Sequence, residues 1–277
     1  MKFSKQAQLP SFGLHVKRAK VRYWCGEFTM GSDPDIGFAA CQELYYKPEG
    51  CQQNWYDDEA PVSMVMLDSY YIDKYEVTNA KYQACVDEGT CTPPSNTGSW
   101  SRDDYYGNSE FTNYPVIYVN WNQANTFCQW RGGRLPTEAE WEKAARGTDE
   151  RQYPWGNTFD GNSVNFYDTN CGYDWANKDY DDGYADTALV GSYPNGISPY
   201  GVHDMAGNVW EWTGSIYKPY PYNPGDSRED TTLTNVILVL RGGSWGYSGF
   251  DVRTPDRGGR NPDVSFNIIG FRCSRSY

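Results

Sequence analysis

Turn-forming residues are scattered along the whole chain and constrain its fold more than any other sequence feature. The 277 residues include 28 Gly and 16 Pro, with Asn, Asp and Ser interspersed between short apolar runs. Because these residue types favour turns, the sequence predicts a loop-rich protein with little regular secondary structure. No low-complexity linker or internal repeat divides the chain, and its length is sufficient to bury a substantial core. One domain is therefore the simplest organisation.

Helix signals are few and local. Three segments combine apolar positions with a capping residue: Thr78 to about Val86, residues 120–130, and residues 141–146. The third follows a capping box in which Thr137 and Glu140 satisfy each other's backbone donors. Residues 23–30 and 62–72 have the composition of strands, and residues 33–60 are expected to form a polar loop. Turns and short strands are expected after Gly147.

The charge and the cysteines limit location and partners. A net charge of −12 argues against a nucleic-acid partner, which requires a basic surface. No apolar run approaches the roughly 20 residues that span a bilayer. The eight cysteines favour an oxidising location (extracellular, cell-surface or periplasmic), with local disulfides predicted for Cys41–Cys51 and Cys85–Cys91. Cys128 is predicted to be a buried thiol. Residues 1–20 lack the apolar centre of a signal peptide, which leaves a cytoplasmic location open.

Several long motifs occur in a fixed order from about residue 23 to residue 273. They include Gly-Arg-Leu-Pro-Thr-Glu-Ala-Glu-Trp-Glu at 133–142, Arg-Gly-Gly-Ser-Trp at 241–245 and Gly-Phe-Arg-Cys at 270–273. In these motifs the chain resembles the formylglycine-generating enzyme (sulfatase-modifying factor) family. The resemblance implies an α+β fold of the C-type-lectin type, with residues 1–22 as an N-terminal extension and residues 23–277 as a single domain.

The chemistry of that family is not evident in this sequence. Members that oxidise cysteine to formylglycine resemble one another in a copper(I)-binding cysteine pair just after Gly-Gly-Ser, whereas residues 245–253 contain no cysteine. Cys273 alone cannot replace the pair. Two histidines, His15 and His203, cannot form the three-histidine iron site of the related sulfoxide synthases, so neither copper nor iron is expected. Two alternatives to a non-catalytic protein with a diversified binding surface remain. One is a formylglycine-generating oxidoreductase with other metal ligands, and the other is a constitutive accessory domain of the family.

The resemblance implies two structural calcium sites. Hard cations require several oxygen ligands, which carboxylates, amides and backbone carbonyls supply. The first site would use Asn165, the Phe166 carbonyl, Asp182 and the Tyr184 carbonyl. The second would use Asp204, the carbonyls of Gly207 and Val209, and Glu211. The alternative is that Asp182 and Glu211 only cap turns.

Residues 246–269 have an unusual composition. They contain no Lys, Glu, Gln, Met or Trp, and the types present are those reached when adenines of Asn codons are randomised. The segment resembles the variable region of proteins diversified by retroelements, which display it on a lectin-like scaffold. Within the predicted variable binding region, 245–269, the predicted ligand contacts are Gly246, Tyr247, Ser248, Gly249, Phe250, Asp251, Gly258, Gly259, Arg260, Asn261, Val264, Ser265, Phe266, Asn267 and Ile268.

The function predicted from these features is non-catalytic binding of an unknown protein or cell-surface ligand. Trp245, Arg253, Arg257 and Phe271 are expected to form a buried framework, while Tyr247, Phe250, Phe266 and Ile268 are expected to be displayed. An ordinary surface segment of a family paralogue would show no such division.

Overall fold

The computed structural model describes residues 20–23, 25–173 and 176–277. Its strands are β1 (Lys20–Tyr23), β2 (Gly26–Met30), β3 (Ser63–Leu67), β4 (Tyr70–Asp73), β5 (Trp210–Ile216), β6 (Leu238–Arg241), β7 (Arg257–Arg260), β8 (Ile269–Phe271) and β9 (Ser274–Ser276). Its α-helices are α1 (Pro34–Leu44), α2 (Asn79–Asp87), α3 (Trp121–Trp130) and α4 (Glu138–Arg146). The expectation of a loop-rich α+β chain is confirmed.

Capping explains where the helices begin. The side chain of Thr78 accepts from the N–H of Lys81, and α3 and α4 each begin with a complete capping box, on Asn120 and on Thr137. These predictions are confirmed. The predicted loop at 33–60 is wrong in part, because α1 begins there with Asp33 as its cap and Pro34 at its first position.

The strands form three small sheets among the described residues. The order is β1-β4-β9 in the first, β2-β3 in the second, and β7-β6-β5-β8 in the third. β5 pairs antiparallel with β6 and parallel with β8, so the third sheet joins distant parts of the chain. The strand predicted over 62–72 is two strands, β3 and β4, which belong to different sheets. The strand predicted over 23–30 is confirmed for β2, whereas β1 lies largely within the predicted N-terminal extension.

Four of the buried arginines form ion pairs that join parts of the chain distant in sequence. Arg253 donates two hydrogen bonds to Glu59, at 2.9 and 2.5 Å, and Arg257 donates two to Glu138, at 2.7 and 3.0 Å. The others are the pairs Arg241–Glu142 and Arg272–Glu211. Burial alone would raise the pKa of Glu138, but Arg257 and Arg241 outweigh it and lower that pKa. The planar, bidentate pairs of Arg253, Arg257 and Arg272 fix orientation as well as charge.

Three disulfides are present. Cys41–Cys51 and Cys85–Cys91 confirm the two predicted local pairs. The prediction that Cys128 is a thiol is wrong: it is bonded to Cys273, because the buried face of α3 lies against the chain just after β8. Three disulfides are typical of an oxidising environment such as the cell exterior or the periplasm. None of the helices described is long and apolar enough to cross a membrane.

Candidate functional site

A cavity of about 420 Å³ opens beside the four-stranded sheet. One wall is aromatic, since the rings of Trp210 and Tyr247 meet edge to face with centroids 5.4 Å apart. Further apolar lining comes from Leu240, Phe266, Ile268 and Ile269, and the polar lining comes from Asp251, Asp256, Arg257, Gly258 and Arg260. The cavity thus combines residues of β5 to β8 with the loops that connect them.

The predicted binding segment lies around this cavity. Six of its predicted contacts line the cavity: Tyr247, Asp251, Gly258, Arg260, Phe266 and Ile268. Seven others do not line the cavity but are exposed or partly exposed: Gly246, Ser248, Gly259, Asn261, Val264, Ser265 and Asn267. Most of the predicted contacts are therefore at least partly accessible.

Gly249 and Phe250 are the two exceptions. Phe250 is only 5% exposed, and its ring packs edge to face on Tyr45 at 5.4 Å. Gly249 is buried, and a Cβ atom added to it would lie 2.7 Å from the ring of Phe159. The prediction that these two residues are displayed is wrong, because α1 and the loop at 152–159 cover them from residues distant in sequence.

The framework prediction is confirmed. Trp245, Arg253, Arg257 and Phe271 are all buried. Main-chain hydrogen bonds also fix the displayed segment: the carbonyls of Tyr247, Phe266 and Ile268 accept from N–H groups of Tyr167, Tyr118 and Trp210, at 2.9, 3.1 and 2.8 Å. These bonds do not depend on which side chains the three acceptor residues carry.

The pKa values of the two carboxyl groups of the cavity are raised above their usual range. Burial, aided by the nearby Glu59 carboxylate, raises the pKa of Asp251 to about 7 against the opposing effects of the Ser248 N–H and Arg253. Burial and the negative charge of Asp251 raise the pKa of Asp256 well above its usual value. Strongly perturbed carboxyl groups in a cavity are candidates for a functional site.

The residues of the first predicted calcium site lie together. Asp182 accepts backbone N–H groups of Phe166 and Tyr184, at 3.0 and 2.8 Å, and the Oδ1 atom of Asn165 is buried with no hydrogen-bond partner in the described residues. Burial and the neighbouring Asp168 raise the pKa of Asp182 to about 8. An orphaned amide oxygen beside a desolvated carboxylate fits a hard cation.

The second predicted calcium site is more crowded. Glu211 accepts hydrogen bonds from Arg272, at 2.6 and 2.7 Å, and from the indole of Trp141. Burial raises the pKa of Asp204 to about 6. Glu76 lies beside both acids; its Oε2 accepts from Asn208 at 2.6 Å, and its Oε1 has no partner in the described residues. Three buried carboxylates face one guanidinium here, which also fits an added cation.

No three His, Cys, Asp or Glu side chains in the described part of the chain are grouped closely enough to hold a metal. An ion at either site would therefore depend on backbone carbonyls, such as those of Gly207 and Val209. Gly207 and Asp204 both have positive φ, at 70° and 56°, a backbone conformation that suits tight turns.

Comparison with known proteins gives the family. The model of the sulfatase-modifying factor enzyme 1-like domain matches residues 9–277. The chain belongs to this family. It is 31% identical to mouse inactive C-alpha-formylglycine-generating enzyme 2, over 91% of the chain and 83% of the relative. It is 32% identical to the formylglycine-generating enzyme of Streptomyces coelicolor, over 93% of the chain and 89% of the relative.

Among solved structures, the chain is similar to Treponema denticola variable protein 1. The TM-score is 0.65 at 22% identity, with 93% of this chain and 95% of the other covered. The sulfatase-modifying factor domain of this chain thus has the C-type-lectin-like α+β fold. Active and inactive relatives are equally similar in sequence, so the activity must be argued from the residues of the site.

Sequence reasoning missed several residues of the cavity in this family member. Trp210 and Leu240 come from β5 and β6, and only the sheet brings them to the variable segment. Asp256 lies within that segment, but its composition offered no reason to separate it from the framework. At the second predicted calcium site, Glu76 was not predicted to approach Asp204 and Glu211.

Proposed function

We propose that this chain is a non-catalytic ligand-binding member of its family, displaying a diversified C-terminal surface on a C-type-lectin-like scaffold. The observation that carries the proposal is the cavity beside Tyr247 and Asp251. Both residues lie just after Gly-Gly-Ser, where the family resemblance calls for two copper-binding cysteines. An aromatic ring and a carboxylate stand there, and neither provides the soft sulfur that selects copper(I).

The thiols found elsewhere do not replace the missing pair. Cys273 has no free thiol, because its sulfur is bonded to Cys128 in a disulfide. Cys171 is buried and Cys25 is exposed, and burial raises the pKa of the Cys171 thiol to about 12. A thiol that stays protonated at neutral pH is a poor nucleophile and a poor metal ligand.

Anchoring of the main chain supports a role in display. Arg253 and Arg257 hold the segment from beneath, and backbone hydrogen bonds hold it at Tyr247, Phe266 and Ile268. Side chains on such a segment can change while the backbone keeps its path. The residue types present, rich in Gly, Ser, Asn and aromatics, are also those of adaptable antibody binding loops.

We also propose that calcium braces the scaffold at the two sites described above. Support comes from the unpartnered Oδ1 of Asn165, the desolvated Asp182 carboxylate and the excess negative charge around Glu76. A bound cation would supply the missing positive charge and hold the loops at 165–184 and 204–211 together. Those loops lie behind the segment that begins at Trp245, whose N–H bonds the Asn208 carbonyl.

Resequencing the reading frame from independent isolates tests the diversified surface. We expect substitutions to concentrate at the exposed and cavity-lining codons of 246–268 and to spare Trp245, Arg253, Arg257 and Phe271. The matched control is the loop at 223–235, which is exposed along most of its length except at the buried Arg228; this loop should change no more often than the rest of the chain. Equal variation in the control loop and in the displayed segment would contradict diversification and leave a constitutive accessory domain.

A further inference from the structure

Two carboxylates on the cavity wall have no cationic partner of their own. Asp251 accepts one hydrogen bond, from the N–H of Ser248 at 3.1 Å. The carboxylate of Asp256 accepts none from the residues that the structure describes. The backbone of Asp256 is nevertheless fixed, since its N–H bonds the Arg253 carbonyl at 3.2 Å and its carbonyl accepts from Arg241. Both acids are therefore held in place without a cationic partner among the described residues.

The buried arginines nearest to these acids are already paired with other carboxylates. Arg253 faces Glu59 and Arg257 faces Glu138, each through two hydrogen bonds. Arg260 lines the cavity at its exposed mouth, where it donates to the Gly259 carbonyl at 2.8 Å and forms no ion pair within the described chain. The two buried guanidinium groups nearest to the acids are thus each paired with another carboxylate, and the cavity acids are left without a counter-ion among the described residues.

The apolar wall complements this charge. Trp210 and Tyr247 present aromatic surface to the cavity, with Leu240 and Ile268 beside them. Aromatic faces attract cations, and a desolvated carboxylate binds a cation more strongly than an exposed one does. A cavity of about 420 Å³ is within the usual size range of small-ligand sites.

Building on the proposed function, we infer that this cavity binds an organic cation: an ammonium or guanidinium group on an apolar stem, with the charge against Asp251 and Asp256 and the stem along Trp210 and Tyr247. A lysine or arginine side chain of a protein partner has this chemistry, and so does a free amine. Occupation would supply the counter-ion that the two acids lack.

Isothermal titration with matched probes tests the inference. The capped peptides acetyl-Ala-Lys-Ala-amide and acetyl-Ala-Arg-Ala-amide represent a protein ligand, and tyramine represents a free amine. Matched peptides with norleucine or glutamate at the centre remove or reverse the charge. We expect at least one cationic probe to bind tenfold or more tightly than the norleucine peptide. Comparison of the peptides with tyramine tells which source the cavity accepts.

Isosteric variants test the two acids. Asp256→Asn and Asp251→Asn should each weaken binding of the best cationic probe at least tenfold, because each removes a charge that pairs with the ligand. Asp263→Asn is the matched control, since Asp263 is exposed on the same segment and does not line the cavity; its affinity should change less than twofold. Tyr247→Leu removes the aromatic face but no charge, and it should also weaken binding. Thermal melting of each variant establishes that it is folded.

Three results would overturn the inference: no binding by any cationic probe, equal or tighter binding of the norleucine or glutamate peptide, or unchanged affinity in both Asn variants. None of them decides the proposed function, because resequencing of the locus tests diversification independently. A diversified surface whose cavity prefers a neutral or anionic probe would keep the first proposal and reject this one.

Discussion

Phe250 and Phe266 belong to the same variable segment but to opposite environments. Phe250 is 5% exposed and packs with Cys41 and Tyr56, whereas Phe266 is 44% exposed at the cavity. The partners of Phe250 come from α1 and the loop after it. The segment's own composition gives no sign of this cover, which is why display was predicted for both rings.

This contrast leads to a stability prediction. Phe250→Ala should lower the free energy of unfolding by about 3–5 kcal/mol, because a large buried ring is lost. Phe266→Ala, its matched control, should change that energy by no more than about 0.5 kcal/mol. Denaturant unfolding followed by tryptophan fluorescence measures both. Similar losses for the two variants would contradict the division between a packed and a displayed ring.

The cavity acids predict a pH dependence of stability. Their pKa values in the folded protein lie above those in the unfolded chain, so the folded state binds more protons and its stability falls as the pH rises. For Asp251 the loss extends from about pH 4 to about pH 7. Between pH 5 and pH 8, wild type should therefore lose more unfolding free energy than the double variant Asp251→Asn/Asp256→Asn. Equal slopes in denaturant titrations across this range would contradict the prediction.

At the residue scale, sequence reasoning succeeded for the residues predicted to support the variable segment. Arg253, Arg257 and Phe271 were predicted to be framework, and all are buried. It failed for Asp256 because the unusual feature of that residue is the absence of a partner. Such an absence depends on where Glu59 and Glu138 place the arginines, and that placement is a property of the folded chain.

Among the secondary-structure elements, local signals were predictive and long-range pairing was not. Thr78, Asn120 and Thr137 marked three helices because a cap acts within one turn. Asp33 followed by Pro34 is a similar capping signal for α1. The many polar residues around this pair led to the prediction of a loop instead. The division of 62–72 into β3 and β4, and the parallel pairing of β5 with β8, depend on partners far along the chain.

The link between α3 and the end of β8 can be tested by its disulfide. Cys128 and Cys273 are 145 residues apart, whereas Cys85 and Cys91 are 6 apart. In the chain-entropy account, the longer loop contributes about 5 kcal/mol and the shorter about 2 kcal/mol. The double variant Cys128→Ala/Cys273→Ala should thus lose more unfolding free energy than Cys85→Ala/Cys91→Ala, measured in guanidinium without reductant. A larger loss for the short loop would refute this ordering.

For the whole molecule, calcium should raise stability, since an ion that binds only the folded state stabilises it by mass action. At a hundredfold excess over the dissociation constant the gain is about 2.7 kcal/mol per site. Asp182→Asn should remove the part of this stability gain that comes from the first site. The matched control is Asp181→Asn, because Asp181 is exposed. Calorimetric melting of calcium-loaded protein, with and without EDTA, measures the effect. An unchanged melting temperature would count against both sites.

The missing cysteine pair predicts an absence of catalysis. After incubation with copper(I), the protein should leave the cysteine of a sulfatase-type peptide unconverted. The formylglycine-generating enzyme of Streptomyces coelicolor serves as the positive control. Mass spectrometry of the peptide detects the replacement of the thiol by an aldehyde, and its appearance with this protein would restore the enzymatic alternative.

The position of β8 beside β5 has a consequence for how the protein is made. β5 has an open edge until residues 269–271 emerge from the ribosome, so the main sheet cannot close before the whole variable segment has been synthesised. The variable loop at 261–268 connects β7 to β8, and it must bring the chain back to the open edge of β5 before β8 can pair there. The entropy of closing a loop depends on its length far more than on its side chains. A variable segment of constant length would therefore let every sequence variant complete its sheet at nearly the same entropic cost.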